Sequence, residues 1–389
     1  MNKNFRFLTS GESHGKCLNA IIEGIPAGFP ISVDEINHEL WRRQQGYGRG
    51  GRMKIESDKV EIKSGVRFGV TTGAPVCLEI TNRDYENWVN VMNTSPVDMS
   101  DESIAQQIKE KSFTKLRPGH ADYAGSVKYG FEDLRNVLER SSARKTAIEV
   151  AVGSVAKQML KQFGVDGFST VIQVGKASVG VGSGLDFNTL KELSEQSEVR
   201  CWDKETSEKM KQEIDNAKEQ GVTLGGQFEI YYTGLPVGLG SYVHYDRGID
   251  GQIAQAVMSV PAVKAVEIGA GVRAAELNGS QMHDPFVLKD GKIERTSNNA
   301  GGVEGGMTNG ETLIVRGTMK AIPTMRTPLP TVDISDMTDS EAHFERSDAC
   351  AVPACAVVAE SRVAIVLIDE FLGKFGGDSL KEMKAHYEC

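Results

Sequence analysis

Three short segments recur in the same order in the two halves of the chain, and that recurrence constrains the fold more than any single element. Gly24-Ile25-Pro26-Ala27-Gly28-Phe29 resembles Gly234-Leu235-Pro236-Val237-Gly238-Leu239. Thr71-Thr72-Gly73-Ala74-Pro75-Val76 resembles Thr308-Asn309-Gly310-Glu311-Thr312-Leu313. Arg140-Ser141-Ser142-Ala143 resembles Arg346-Ser347-Asp348-Ala349, and each of this last pair opens a long helix. Gly-Pro turns recur for local reasons, so one match alone carries little. The shared order points to a duplicated α+β unit with its halves packed about a pseudo-two-fold axis. The halves fall at about 1–165 and 222–389, joined by a helical segment. No linker separates them, so the 389 residues read as one intertwined domain.

Local patterns supply the elements. Asn4–Thr9, Cys17–Gly24, 76–81 and 224–233 read as strands. Ser32 and Glu35 form a capping box before a helix that carries Ile36, Leu40 and Arg43. Ser141 or Ser142 caps a long helix with apolar residues at helical spacing from Ala147 to Leu160, stopped near Gly164. The mostly polar stretch Lys204–Gln220 reads as an exposed helix ended by Gly221. A final helix runs through Val363–Leu372 and stops near Gly376.

Net charge is −9, which argues against nucleic-acid or membrane-surface binding by the whole chain. None of the six cysteines forms a C-x-x-C pair, and no long apolar leader or run of 18 apolar residues occurs. A cytoplasmic protein with reduced thiols is expected.

Gly11-Glu12-Ser13-His14-Gly15 matches the G-x-S-x-G elbow of serine hydrolases. The elbow requires a strand-to-helix turn, followed later in the chain by an acid and then a histidine. Here KCLNAIIEG follows and reads as a strand. In extended chain, adjacent side chains point to opposite faces, so Ser13 and His14 do not form a couple by themselves. The glycines still imply unusual backbone. His14 is either a satisfied structural histidine or a tuned acid.

Residues 42–52, RRQQGYGRGGR, hold Arg42, Arg43, Arg49 and Arg52 among glycines. Arginine recognises phosphate and carboxylate through a planar fork, and glycine lets backbone N–H groups approach an anion. Arg117-Pro118-Gly119-His120-Ala121-Asp122 sets an arginine and a histidine around a turn. Arg140, Ser141, Ser142 and Arg144 stand at an expected helix N-terminus, which favours anions. No dinucleotide fingerprint, P-loop or metal-ligand spacing stands out. The residues describe a site for a small, multiply anionic ligand, with His14 and His120 as proton-transfer candidates.

At these residues the sequence resembles the chorismate synthase family. Four blocks carry the likeness: GESHGKCLNAIIEGIPAG, RPGHADYAGSVKYG, RSSARKTAIEVAVGSVAK and RSDACAVPACAVVAE, with SVPAVKAVEIG and NNAGGVEGGMTNGE between them. The resemblance implies a β-α-β sandwich with internal pseudo-symmetry, usually a homotetramer. It implies an anti-1,4-elimination converting 5-enolpyruvylshikimate 3-phosphate to chorismate and phosphate. That is a carbon–oxygen lyase reaction at the last common step of the shikimate pathway to aromatic amino acids. Reduced FMN is required without net redox change, and NADPH reduces the flavin in some members.

By position, Arg43, Arg49, Arg117, Arg144 and Arg346 match the family's substrate-binding arginines. Arg140, Ser141, Ser142, Pro261, Ala262, Gly305, Lys320, Ala321, Ile322, Pro323, Thr324 and Arg346 match its flavin-binding positions. His14 and His120 match its catalytic histidines. Asp348 matches an acid near the flavin, and Ser13 and Ser142 would position ligands. Departures are few: Gln44 and Gln45 replace an arginine and a proline, Lys145 a glutamate, Phe131 a histidine and Ala321 a proline. A flavin-dependent oxidoreductase and a non-catalytic anion-binding protein are the alternatives. The segment Asn82–Lys115 is expected to become ordered when ligands bind.

Overall fold

The computed structural model describes residues 4–49, 58–180, 184–345 and 347–389. In the first half, β1 (Arg6–Ser10), β2 (Cys17–Glu23), β3 (Val60–Ser64) and β4 (Val76–Thr81) form an antiparallel sheet in the order β1-β2-β4-β3. In the second, β5 (Asp166–Val174), β6 (Gly226–Thr233), β7 (Val263–Ile268) and β8 (Leu313–Met319) run β5-β6-β8-β7, with the short strand Ala177–Ser178 outside β5. Taken in chain order, the two sheets have the same strand order. The turn chemistry repeats as well. Thr71 Oγ1 donates to Pro26 O at 2.6 Å and accepts from Phe29 N at 3.0 Å. Thr308 Oγ1 donates to Pro236 O at 2.6 Å and accepts from Leu239 N at 2.8 Å.

Among the described residues, the helices of seven residues or more are α1 (Val33–Gln44), α2 (Glu102–Lys111), α3 (Asp122–Tyr129), α4 (Arg135–Ser141), α5 (Thr146–Lys161), α6 (Phe187–Gln196), α7 (Lys204–Gln220), α8 (Ile249–Met258), α9 (Val352–Phe375) and α10 (Leu380–Glu388). The long helices α5 and α9 pack on each other, α5 against the first sheet and α9 against the second, with α1 and α8 beside them. One continuous apolar core runs through both sheets and this helical layer. The fold is therefore a duplicated α+β sandwich, sheet-helix-sheet. The helical layer closes tightly: a β-carbon on Gly153 of α5 would stand 2.3 Å from Ser361 Cβ of α9. No helix among the described residues is long and apolar enough to cross a membrane.

Several local expectations are corrected. Ser32 accepts from Glu35 N, but Ser32 N donates to Gln158 Oε1 at 2.8 Å and Glu35 turns toward Lys161, so only half of the capping box forms. Ser141 ends α4 rather than starting a long helix. Ser142, with ψ of 142°, turns the corner and caps a single turn, Ala143–Lys145, before α5 begins. The helix expected through Val363–Leu372 begins at Val352, and α10 follows it. α9 is buried on nearly every side, so its early residues show no amphipathic period. α7 has the expected ends, with Asp203 accepting from Thr206 N and Gly221 left-handed, but it is not an exposed helix: Met210, Ile214 and Ala217 bury one face.

Candidate active site

The N-termini of α5 and α9 open onto one cavity of about 680 Å³, within the roughly 300–1,000 Å³ usual for small-molecule sites. Thr146 and Ala143 line it from the α5 side, and Ala351 and Ala354 from the α9 side. Each helix presents the positive end of its dipole there, which favours anions.

Most of the sequence-predicted residues meet in this cavity. Ser13, His14, Arg43, Arg49, Arg117, His120, Ser141, Ser142 and Arg144 line it from the first half, and Pro261, Ala262, Lys320, Ile322, Pro323, Thr324 and Asp348 from the second. Three others stand away from its wall. Arg140 turns back to the end of β1, donating to Gly11 O, Thr9 O and Thr9 Oγ1. Gly305 sits in the turn between Val303–Glu304 and Met307–Thr308. Ala321 is exposed. Arg52 and Arg346 lie outside the described residues.

Arg42 is also corrected. It follows the helix to a different face from Arg43 and is buried among Glu39, Glu195 and Glu360. Burial opposes its charge, but these carboxylates raise its pKa well above the usual value. Arg43 instead donates to Thr146 Oγ1 and Ala143 O, at the α5 entrance.

The GESHG segment is a loop between two strands, not an elbow before a helix. Gly11 has φ of +103°, and a β-carbon there would meet Cys17 O at 2.3 Å. Ser142 Oγ donates to Ser13 Oγ at 3.3 Å. His14 Nδ1 lies 2.8 Å from Glu139 Oε1, and its ring stacks on Trp88 at 3.9 Å between centroids. Asn82 donates to Ser13 O and Gly15 O, fastening the loop from below.

His120 is held by a comparable arrangement. Its Nδ1 lies 2.6 Å from Oδ1 of the buried Asp122, which also takes Nε and Nη2 of Arg117 at 2.8 Å each. Burial raises the Asp122 carboxyl, but hydrogen bonds and charge from Arg117 and His120 outweigh it and hold it at about 2. Lys320 Nζ reaches across to donate to Gly119 O at 2.5 Å, tying the second half to the turn that carries His120. Burial, then the charge of Lys264, lowers the Lys320 ammonium from its usual range.

The other cations are braced too. Arg144 Nη1 donates to Asp58 Oδ2 at 2.6 Å. Burial raises the Asp58 carboxyl, but Arg144, Arg43 and Gln44 together bring it below its usual value. Arg49 Nη1 lies 3.2 Å from Asp348 Oδ2, and Ala349 N donates to Gly48 O, so these two loops zip together. Cys355 also lines the cavity. Burial, then Cys350, pushes its thiol up to about 12, which leaves it neutral and unsuited to nucleophilic attack.

Sequence reading missed Glu139, Asp58, Glu345 and Trp88. It also missed two cations on the cavity wall, Lys218 at the end of α7 and Arg326 just after the 320–324 run. Asp122 alone carried a signal, two residues after His120 in a quoted motif.

Fold and site together define a cationic cavity with two histidines, each against a buried carboxylate, inside a duplicated sandwich. A family model for chorismate synthase matches residues 5–372. The chain is 52% identical over 391 residues to the chorismate synthase of Geobacter sulfurreducens, covering 98% of this chain and 97% of that one. It is 50% identical over 390 residues to that of Gloeobacter violaceus, covering 98% of each. A crystal structure of chorismate synthase superposes with a TM-score of 0.80 at 42% identity, covering 100% of this chain and 97% of the other. The chain belongs to the chorismate synthase family.

Proposed function

We propose that this chain eliminates phosphate from 5-enolpyruvylshikimate 3-phosphate in the anti-1,4 sense, giving chorismate and inorganic phosphate with reduced FMN bound. The C3–O bond breaks with its electron pair leaving on phosphate, the ring C1=C2 pair shifts to C2=C3, and the C6–H pair forms C1=C6 as the proton leaves, so the reaction is redox-neutral overall. The observation that carries this reading is the pair His14 and His120 in one cationic cavity, each with Nδ1 against a buried carboxylate. With the proton on Nδ1, Nε2 is the basic nitrogen of each neutral ring and can take part in proton transfer.

The substrate carries a phosphate and two carboxylates. Arg43, Arg49, Arg117 and Arg144 offset that charge, and Arg346 is assigned the same role from the sequence. One histidine protonates the departing phosphate and the other acts on the flavin. Asp348 assists removal of the C6 proton, while Ser13 and Ser142 orient the ligands.

The cavity residues suit a flavin: Val260, Pro261, Ile322 and Pro323 offer apolar surface for a planar ring. Ser141, Ser142, Thr324 and Lys320 offer polar ends for a phosphorylated chain. When bound, reduced flavin would supply electron density to C–O cleavage without net consumption, and NADPH would serve only to bring the flavin into its reduced form. The reading takes the chain as a single domain of two intertwined halves, assembled as a cytoplasmic homotetramer.

The test is anaerobic turnover with chemically reduced FMN in small excess over enzyme, following chorismate and phosphate together. Many turnovers per flavin, with equal amounts of both products, are expected. Product stopping at one equivalent of flavin would indicate an oxidoreductase. Flavin binding without product would leave a binding protein.

A further inference from the structure

We propose that Glu139 is a positioning residue that sets the tautomer and aim of the His14 ring. The inference rests on the reading of His14 as a proton-transfer group, and it concerns a residue outside the cavity wall. Glu139 lies on α4 and is 4% exposed. Each of its three oxygens meets a group of Ser13 or His14 in the GESHG loop. Its carbonyl accepts from Ser13 N at 2.9 Å, its Oε2 accepts from His14 N at 2.8 Å, and its Oε1 lies 2.8 Å from His14 Nδ1.

The direction of the last bond follows from the neighbours. A backbone N–H can only donate, so Oε2 is committed as an acceptor. Oε1 also faces Arg135 Nη1 at 3.4 Å, and a guanidinium can only donate. Oε1 is satisfied when it accepts from both Arg135 and His14. Nδ1 then carries the proton, which makes Nε2 the basic nitrogen of the neutral ring. Arg135 is itself fixed by Glu345 Oε1 at 2.7 Å and Lys111 O at 2.8 Å. Trp88 covers one face of the imidazole, and its Nε1 donates to Asp84 Oδ2 at 3.0 Å. Stacking thus restrains the ring plane, and Glu139 decides which nitrogen points away.

Glu139→Gln tests the inference with little change of shape. The glutamine oxygen is needed by the His14 backbone N–H, so its amide N–H₂ faces Nδ1. Nδ1 becomes the acceptor, and the neutral ring carries its proton on Nε2. Magic-angle-spinning ¹⁵N spectra of histidine-labelled protein read the tautomer, with His14→Ala identifying the signal among seven histidines. The unaltered protein is expected to show Nδ1–H and the variant Nε2–H. Turnover (kcat) is expected to fall about 10²–10⁴-fold while KM for substrate stays within about threefold, since Glu139 touches no ligand.

Nε2–H in the unaltered protein would overturn the proposal, and that measurement stands even if the variant fails to fold. A variant that keeps Nδ1–H would overturn it as well, whatever its turnover. An unaltered protein with the expected tautomer and no turnover would defeat the functional reading and leave the orientation by Glu139 intact.

Discussion

Asp122 Oδ1 lies 2.6 Å from Nδ1 of His120, and the same carboxylate holds both Nε and Nη2 of Arg117. One buried acid therefore orients a proton-transfer candidate and an anion-binding candidate at once. Replacing it with asparagine keeps the shape but offers His120 an amide donor where it had an acceptor. Asp122→Asn is expected to lower kcat by about 10²-fold or more. Steady-state turnover with reduced FMN checks this, and unchanged kcat would remove His120 orientation from the mechanism.

Asp122 also links stability to pH. Its carboxyl is held at about 2 against a reference of 3.8, and Glu195 and Glu345 are held at about 2 against 4.5. In each case burial opposes the shift and the neighbouring cations, with His343 at Glu345, outweigh it. A depressed folded-state pKa contributes stability that is full above the unfolded value and lost as pH falls through the folded one. The contribution of these three carboxylates to unfolding free energy should therefore be flat above about pH 5 and fall between about 4.5 and 2. For Asp122 the shift corresponds to roughly 2 kcal/mol. Chemical denaturation of Asp122→Asn should show about that loss at pH 7 and almost none at pH 2.

Gly153 and Ser361 set the approach of α5 to α9. An alanine at 153 gains up to about 1 kcal/mol of helix propensity. Its methyl would meet Ser361 Cβ at 2.3 Å, Cα at 2.8 Å and O at 3.0 Å, and backbone atoms cannot swing aside. Overpacking of this kind costs about 1–3 kcal/mol. Gly153→Ala should lower the denaturation midpoint, and an unchanged or raised midpoint would show that the helices can separate freely.

Arg42 stabilises the core rather than a ligand. Glu360 is fully buried, and Arg42 binds both its oxygens, at 2.9 and 3.0 Å. Removing one partner of such a pair typically costs about 3–5 kcal/mol. Arg42→Ala should lose stability on that scale, while the fraction that stays folded binds FMN as before. Equilibrium unfolding and flavin titration separate the two effects, and weakened flavin affinity with intact stability would reverse the assignment.

The repeated turns were legible because their chemistry is local: Thr71 and Thr308 each close a Gly-Pro turn with the same hydroxyl bonds. The ends of α7 were legible for a similar reason, since its caps, Asp203 and Gly221, are local, whereas its buried Met210–Ile214 face was missed. The start of α9 was hidden because burial on nearly all sides erases the period. Arg42 and Arg43 are neighbours in sequence but face different surroundings once wound into α1. The carboxylates Glu139 and Asp58 are distant in sequence from the side chains they orient, so no local pattern could reveal them. The family resemblance reached His14 and His120, yet not the acids that hold them.

The segment from Asn82 to Lys115 connects that hidden shell to the surface. Its ends are anchored: Asn82 binds the GESHG loop, Trp88 stacks on His14, and Phe113 N donates to Asp133 Oδ1. Between them, α2 contributes no buried residue. An element with little buried surface opens at small free-energy cost, so its amides should exchange quickly in the absence of ligands. A ligand that engages His14 favours the state in which Trp88 is stacked, and binding to the closed state alone stabilises it by mass action. Hydrogen exchange with FMN and substrate together should therefore slow amides near Trp88 first and those of α2 with them. Equal protection with and without ligands would show that the stack is already fully formed and uncoupled from binding.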